Sequence, residues 1–177
     1  MKHNNKLTIV INGRGGVGKD TLCDFAAERF RVRNVSSITP IKQIARTHGW
    51  NGEKDLRSRK FLSDLKRVFT EYNDLPTQYL ANEYRAFCEG DEQIMFAHIR
   101  EGEQIASFVR AIEGNCVTLL VRRESDELAD NYGNASDDEV ENYPYDYYYD
   151  NNAPLEETAD KFTAFLEKIA SDKGIAL

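Results

Sequence analysis

A short glycine-rich segment contains the residues whose types and spacing are best suited to chemistry on phosphates. It consists, in order, of Gly13, Arg14, Gly15, Gly16, Val17, Gly18, Lys19, Asp20 and Thr21. An apolar run, residues 7–11, precedes it, and a stretch with the apolar spacing of a helix follows. Glycines let backbone N–H groups turn inward around a polyphosphate, and a helix start adds positive partial charge. The segment is therefore predicted to bind a nucleoside triphosphate, with Lys19 reaching the β- and γ-phosphates.

The residues after Lys19 depart from the usual phosphate-binding pattern. Asp20 stands where a Ser or Thr is common, and the hydroxyl follows one position later at Thr21. A carboxylate beside a triphosphate is repulsive unless Mg²⁺ or another cation lies between them. In one hypothesis Asp20 reaches Mg²⁺ through water while Thr21 helps to hold the phosphates. In the other, Asp20 is an acid that the helix dipole favours in a first turn. Both hypotheses are open at this point.

Basic residues directly follow three other predicted strands. If the strands are parallel, ligands bind beyond their carboxyl ends, and phosphoryl transfer needs positive groups there. Arg100, Arg122 and Arg123 are the candidates for neutralising charge on the transferring phosphoryl group. Lys42 and Arg46, four residues apart on one predicted helix face, are candidates for binding an acceptor. A basic helix follows, in which Arg59 is a further acceptor candidate. Its other charges are interpreted as a solvated face: Lys54, Arg57, Lys60, Lys66 and Arg67.

Composition indicates a soluble enzyme of one domain. The chain has 177 residues and no apolar run near the roughly 20 that a membrane helix needs. Its polar start does not resemble a signal peptide, and its three scattered cysteines suggest reduced thiols, so a cytoplasmic location is expected. The net charge of −7 is uneven, because residues 1–123 carry +5 and residues 124–177 carry −12. The basic part suits a small anionic substrate, whereas the acidic part disfavours nucleic acid.

The pattern of apolar residues alternates between strands and helices. Strands are predicted at about 6–12, 34–38, 92–99, 116–121 and 145–150. Helices are predicted at about 19–31, 40–48, 55–72, 76–88 and 101–113, and after Asn152. Thr39 is the expected N-cap and Pro40 the expected first residue of the second helix. The polar segment 124–143 is predicted to be a loop or a flap. This alternation predicts a parallel sheet with helices on both faces.

These residues also support a resemblance to a known family. The chain resembles the P-loop kinases of small molecules in the adenylate kinase-like superfamily, most closely their deoxynucleoside monophosphate kinase-like branch. The segment Gly18–Thr21 carries the specific part of this resemblance; three weaker parts lie near Thr39–Lys42, His98–Glu101 and Tyr145–Asn151. The resemblance implies one P-loop NTPase domain over 1–177, a three-layer α/β/α sandwich with a five-stranded parallel sheet. It also implies a helical acceptor-side region at about 40–90 and a lid-like loop at about 122–143.

The resemblance further implies an ATP-dependent phosphotransferase that uses Mg²⁺ and acts on a nucleoside monophosphate, with a deoxynucleotide as the expected substrate. It implies a small-molecule nucleotide as partner, neither nucleic acid nor membrane, and a monomer or homodimer. Two alternatives stay open: a P-loop kinase of another metabolite such as dephospho-coenzyme A, and a nucleotide-binding regulatory module with little turnover. The chain departs from the family where His98 replaces a common strand-end acid. In the lid-like loop, only Arg122 and Arg123, at its base, provide the expected arginines.

Overall fold

The computed structural model describes residues 5–124 and 139–177, and every structural statement refers to these ranges. They form five strands, six α-helices and one short 3₁₀ turn. The strands are β1 (Leu7–Asn12), β2 (Val32–Ser36), β3 (Ile94–His98), β4 (Val117–Arg122) and β5 (Tyr147–Asp150). The helices are α1 (Lys19–Arg29), α2 (Thr39–Thr47), α3 (Leu56–Asn73), α4 (Leu75–Glu89), α5 (Gly102–Ala111) and α6 (Leu155–Asp172).

The five strands make one sheet in the order β2-β3-β1-β4-β5, and every pairing is parallel. β1 lies in the centre, where Ile9 is in register with Phe96 of β3 and Val117 of β4. All six residues of β1 are buried, as expected of a parallel strand covered on both faces. The predicted five-stranded parallel sheet is therefore confirmed.

Apolar side chains on the two faces of the sheet form two separate cores. On one face the cluster includes Leu22 of α1 and Phe162 of α6. On the other face it includes Phe87 of α4 and Phe108 of α5. Because helices cover both faces, the domain has the predicted three-layer α/β/α arrangement. Within the described ranges, no helix is long and apolar enough to cross a bilayer.

The acceptor-side region predicted at about 40–90 corresponds to α2, α3 and α4. α3 packs against both of the other helices. It begins at Leu56 because the Asp55 side chain accepts a hydrogen bond of 2.7 Å from the Ser58 N–H, a standard N-cap. Two of its apolar residues, Phe61 and Val68, remain 44% and 50% exposed.

Several predicted boundaries were wrong by one or two residues. α2 begins at Thr39, so Ile38, and not Thr39, is its N-cap; the φ and ψ of Ile38 are already helical. β5 begins at Tyr147, not Tyr145, because side chains replace the ladder just before it: the Thr118 N–H donates to Asp146 Oδ2 at 2.8 Å and the Asp146 N–H donates to Thr118 Oγ1 at 2.9 Å. Most of the lid-like loop predicted at about 122–143 lies outside the described residues. Its described end, Val140–Asn142, is the 3₁₀ turn.

Candidate phosphate-binding and acceptor site

The phosphate loop, residues 13–18, connects β1 to α1 and requires glycine at defined positions. Gly13, Gly16 and Gly18 have φ values of +154°, +81° and +91°. A Cβ at Gly13 would lie 2.6 Å from the Val121 carbonyl oxygen, because the loop passes close to β4. A Cβ at Gly18 would lie 2.7 Å from Asn151 Nδ2. The loop is thus packed against the ends of β4 and β5, while Gly15 and Gly16 are exposed at its tip.

The start of α1 lies at the end of the loop that the sequence predicts to bind phosphate. Gly18 is the N-cap, and no side chain in the described ranges caps this end by a hydrogen bond. The first-turn N–H groups of a helix have no intrahelical acceptors, so they can donate to a phosphate. Asp20 and Thr21 are both exposed in this first turn.

The Lys19 ammonium lies across the phosphate loop. It donates hydrogen bonds of 2.6 Å to the Gly13 carbonyl and 3.1 Å to the Arg14 carbonyl. Buried Asn151 supports the loop from the other side, since its Nδ2 donates to the Val17 carbonyl at 2.9 Å. The charge of Lys19 is therefore held at the site where the loop would enclose a polyphosphate.

The donor set for a cation is small. The described residues contain no group of three or more His, Cys, Asp and Glu side chains that could hold a metal ion. A carboxylate and a hydroxyl, Asp20 and Thr21, stand at the loop end. Such oxygen ligands fit Mg²⁺, which commonly takes one or two protein ligands and completes its shell with substrate phosphates and water.

His98 ends β3 beside the phosphate loop, in register with Ile11 of β1. Its Nε2 lies 2.7 Å from Asn34 Oδ1 and 3.7 Å from the Cys23 sulfur. The pKa of His98 is lowered to about 4, mainly by burial; the Asp20 charge opposes this shift and the Lys19 charge adds to it. The imidazole is therefore neutral at pH 7, and it donates from Nε2 to Asn34. His98 does not provide the negative charge of the strand-end acid that it replaces.

A buried hydrogen-bond network holds the backbone beside the phosphate loop. Asn12, the last residue of β1, donates from Nδ2 to the Arg100 carbonyl at 2.9 Å and to the Tyr145 hydroxyl at 2.8 Å. Its Oδ1 accepts from the Gly13 N–H at 2.9 Å. The Tyr145 hydroxyl in turn donates to the Val140 carbonyl at 2.7 Å. Asn12 thereby joins the phosphate loop, the Arg100 segment and the 3₁₀ turn.

The acceptor-side cations lie close enough to influence one another. Burial and the charges of Arg46 and Lys54 lower the pKa of Lys42. Arg100 adds to this effect, whereas Asp20 opposes it. The Arg46 guanidinium also lies 5.3 Å from the centre of the Trp50 ring. Lys42 of α2 therefore shares an electrostatic environment with Arg100 and with Asp20 of the loop end. Such a concentration of positive charge favours an anionic ligand.

The other predicted residues lie further from this cluster or make different contacts. The Arg122 guanidinium lies 4.5 Å from the centre of the Tyr148 ring on β5, and Arg123 is exposed just after β4. Arg59 is exposed on α3, and no described hydrogen bond or ion pair joins it to the phosphate loop.

Lys66 corrects the interpretation of the basic helix as a wholly solvated face. Its side chain is only 13% exposed, and its Nζ lies 2.7 Å from Glu101 Oε2. The sequence could have indicated this burial. Lys66 follows Leu62 by four residues and precedes Phe69 by three, so it lies with them on the inward face of the helix. Asn12 and Asn151 were not predicted as site residues either. Only their positions near the ends of strands could have indicated that they support the phosphate loop.

Comparisons with known proteins support the fold. No protein-family model matches the sequence, and no curated protein is similar enough to count as a relative. Among solved structures, the tunicamycin resistance protein of Deinococcus radiodurans is similar, with a TM-score of 0.56 at 12% identity, over 91% of this chain and 95% of that one.

The structures of two kinases are similar to this chain to the same degree. Shikimate kinase from Aquifex aeolicus has a TM-score of 0.53 at 11% identity, over 93% of this chain and 98% of that one. A gluconokinase from Sinorhizobium meliloti has a TM-score of 0.53 at 12% identity, over 95% of each chain. Identities this low show the fold and no more. The architecture is that of the P-loop small-molecule kinases.

Proposed function

We propose that this protein transfers the γ-phosphoryl group of Mg²⁺-ATP to a nucleoside monophosphate, with a deoxynucleotide as the expected acceptor. The observation that carries the proposal is the position of Lys42, whose charge environment includes both Arg100 and the loop-end Asp20. A second anionic group bound there would face the γ-phosphate held by the loop. Catalysis of phosphoryl transfer consists mainly of such positioning and of charge stabilisation.

The donor half of the site uses the phosphate loop and the start of α1. Gly13, Gly15, Gly16, Val17 and Gly18 supply the loop backbone. Lys19 binds the β- and γ-phosphates, and Asp20 and Thr21 hold Mg²⁺ directly or through water. When bound, Mg²⁺ neutralises charge on the phosphates.

The acceptor half uses the cations beyond the ends of β2, β3 and β4. Lys42 and Arg46 bind the acceptor phosphate, and Arg59 is a more distant candidate for the same group. Arg100, with Arg122 or Arg123, balances charge on the transferring phosphoryl group. We further propose that the protein acts on small nucleotides in the cytoplasm, as a monomer or homodimer, without nucleic-acid or membrane partners.

One carboxylate near the site bears on the choice between a phosphate acceptor and a hydroxyl acceptor. A phosphate is already a nucleophile, whereas a hydroxyl needs a general base within hydrogen-bond reach. Glu101, which follows Arg100, is paired with Lys66 at 2.7 Å and so is poorly placed to accept a proton. Asp20 is exposed and is the other candidate base, so dephospho-coenzyme A, phosphorylated on a hydroxyl, stays an alternative acceptor.

The neutral state of His98 supports a second candidate, a nucleotide-binding regulatory module with little turnover. Without a negative charge at the end of β3, Mg²⁺ depends on Asp20, Thr21, water and the phosphates. A site of this kind could bind ATP and yet transfer its phosphoryl group slowly.

A panel of acceptors distinguishes the two functions. ADP release from Mg²⁺-ATP would be measured with ribo- and deoxyribonucleoside monophosphates, dephospho-coenzyme A and common metabolites. We expect turnover with a deoxynucleoside monophosphate, its loss in Lys19→Ala, and its retention in Lys168→Ala, which changes a lysine that is 68% exposed on α6. ATP binding by calorimetry without turnover on any acceptor would refute the kinase and support the regulatory module.

A further inference from the structure

Lys66 connects the acceptor-side helices to the ligand edge of the sheet. Its Nζ donates to Glu101 Oε2 at 2.7 Å and to Ser37 Oγ at 3.3 Å. Ser37 follows β2, and its N–H donates to the His98 carbonyl at 3.1 Å, so β2 and β3 stay joined there. One lysine of α3 thus contacts the residues that follow two adjacent strands. By contrast, the ion pairs of Lys60 and Arg67 link residues within α3 itself.

The segment that Lys66 contacts also carries Arg100. Ile99 is buried, with 1% exposure, and fixes one end of this segment in the core. Asn12 holds the Arg100 carbonyl from the side of the phosphate loop. Lys66 holds the next residue, Glu101, from the side of α3. The segment around Arg100 is therefore held at Asn12, at Lys66 and at the start of α5, where the Ile105 N–H donates to the Glu101 carbonyl at 2.9 Å. Of these three contacts, the one with Lys66 belongs to the acceptor-side helices.

The geometry of this ion pair favours a positioning role over a purely stabilising one. The Glu101 side chain is 48% exposed and that of Lys66 is 13% exposed, so solvent screens the pair in part and its contribution to the stability of the fold is modest. Yet Glu101 is adjacent to a cation proposed to act on the transferring phosphoryl group. A displacement of about 1 Å at such a group costs on the order of 100-fold in rate.

We propose that Lys66 and Glu101 are a positioning pair: by tying α3 to the segment after β3, their ion pair sets the location of Arg100. The inference rests on the proposed phosphoryl transfer for its catalytic consequence. The attachment itself does not depend on that reaction, because it concerns how α3 holds residues 99–101. Lys66 acts through Glu101 and Arg100 and is not itself a ligand of the acceptor.

The test compares Lys66→Met, Glu101→Gln, Lys66→Arg and the charge-exchanged double variant Lys66→Glu/Glu101→Lys. Lys60→Met is the matched control, because Lys60 lies on the same helix, is 76% exposed and pairs only within it. Two readouts are taken. One is amide hydrogen exchange of peptides covering 99–106, without any substrate, because this range includes the Ile105 N–H, which donates to the Glu101 carbonyl at 2.9 Å. The other is steady-state kinetics with ATP and the acceptor.

We expect both neutral single variants to raise exchange in 99–106 and to lower kcat about 10-fold, with KM for ATP changed less than about 2-fold. The melting temperature should fall by less than about 3 °C. Lys66→Arg and the charge-exchanged variant should recover most of kcat and restore protection of 99–106. Lys60→Met should resemble the wild type in both readouts.

Two results would overturn the proposal. Unchanged exchange in 99–106 for both neutral variants would mean that Asn12, Ile99 and the start of α5 hold the segment without the ion pair. A charge-exchanged variant that restores protection but remains as slow as Lys66→Met would make Lys66 a direct acceptor ligand. If the wild type transfers phosphoryl to no acceptor, the proposed function fails, while the exchange measurement still decides whether the attachment exists.

Discussion

The alanine substitution of Gly13 gives a quantitative test of how the phosphate loop packs. Gly13 has a φ of +154°, and a Cβ added there would lie 2.6 Å from the Val121 carbonyl oxygen and 2.9 Å from Val17 Cγ2. Val121 belongs to the buried strand β4, so its carbonyl cannot move without disturbing the sheet. Gly114 offers a matched control, because its φ is +73° and a Cβ there would meet no atom within 4 Å.

The two sites share backbone strain but differ in steric overlap. Strain from a left-handed backbone costs about 1–2 kcal/mol for a non-glycine residue. Overlap with a fixed, buried backbone adds about 1–3 kcal/mol. Gly13→Ala should therefore lower the free energy of unfolding by about 2–5 kcal/mol, whereas Gly114→Ala should lower it by only about 1–2 kcal/mol.

Urea denaturation followed by circular dichroism measures both losses under the same conditions. ATP binding by calorimetry then reports on the loop in the variants that remain folded. We expect Gly13→Ala to lose both stability and ATP affinity and Gly114→Ala to keep its affinity. Equal stability losses in the two variants, or unchanged ATP affinity in a folded Gly13→Ala protein, would refute the packing argument.

Two other substitutions test the surroundings of the site, and a third tests the opposite edge of the sheet. The pKa of His98 is lowered from 6.5 to about 4 by burial, so the unfolded state binds the proton first as the pH falls from 6.5. Protonation of His98 therefore lowers the free energy of unfolding only as the pH falls below about 6.5. At pH 5 the wild type should have lost about 2 kcal/mol of this free energy, a loss that His98→Gln should not show. Tyr145→Phe removes the hydroxyl between Asn12 and the Val140 carbonyl, and should cost about 1–2 kcal/mol of stability and lower kcat. Lys6→Met removes three hydrogen bonds of 2.7–2.8 Å to carbonyls near the end of α4, and should cost about 2 kcal/mol without changing KM.

Each of these predictions has a control on the surface. His48→Gln changes an exposed histidine and should leave the pH dependence of the wild type intact. Tyr72→Phe and Lys60→Met alter side chains that are largely exposed on α3 and should be nearly neutral. A His98→Gln protein with the same loss of stability at pH 5 as the wild type would contradict the assignment of a neutral buried histidine. If the control variants lose as much stability as Tyr145→Phe or Lys6→Met, the removed hydrogen bonds contribute no more to stability than exposed side chains do.

Much of the fold could be predicted because the signals are local. β1 is a run of apolar residues that is buried on both faces, and such a run is visible in the sequence. α1 and the phosphate loop follow from the spacing of glycines and apolar residues. Boundaries were less accurate where a distant contact decides them. β5 starts late because Asp146 and Thr118, 28 residues apart in the chain, bond each other's N–H groups through their side chains.

The candidate site was predictable only in part, for the same reason. The position of the loop between β1 and α1 could be predicted because it depends on one contiguous motif, while the binding roles of the loop and of Lys19 stay predictions. Asn12 and Lys66 were not identified, because their partners, the Arg100 carbonyl and Glu101, come together only when the sheet forms. The roles assigned to Arg59, Arg122 and Arg123 remain predictions.

The most direct test of the central claim follows the phosphoryl group itself. ATP labelled at the γ-position would be incubated with the protein, Mg²⁺ and a deoxynucleoside monophosphate, and the label would be traced by chromatography in a single turnover. The proposed function predicts that label appears on the nucleoside diphosphate product with the wild type and not with Lys19→Ala. Label that remains on ATP, or that appears only as inorganic phosphate, would contradict it.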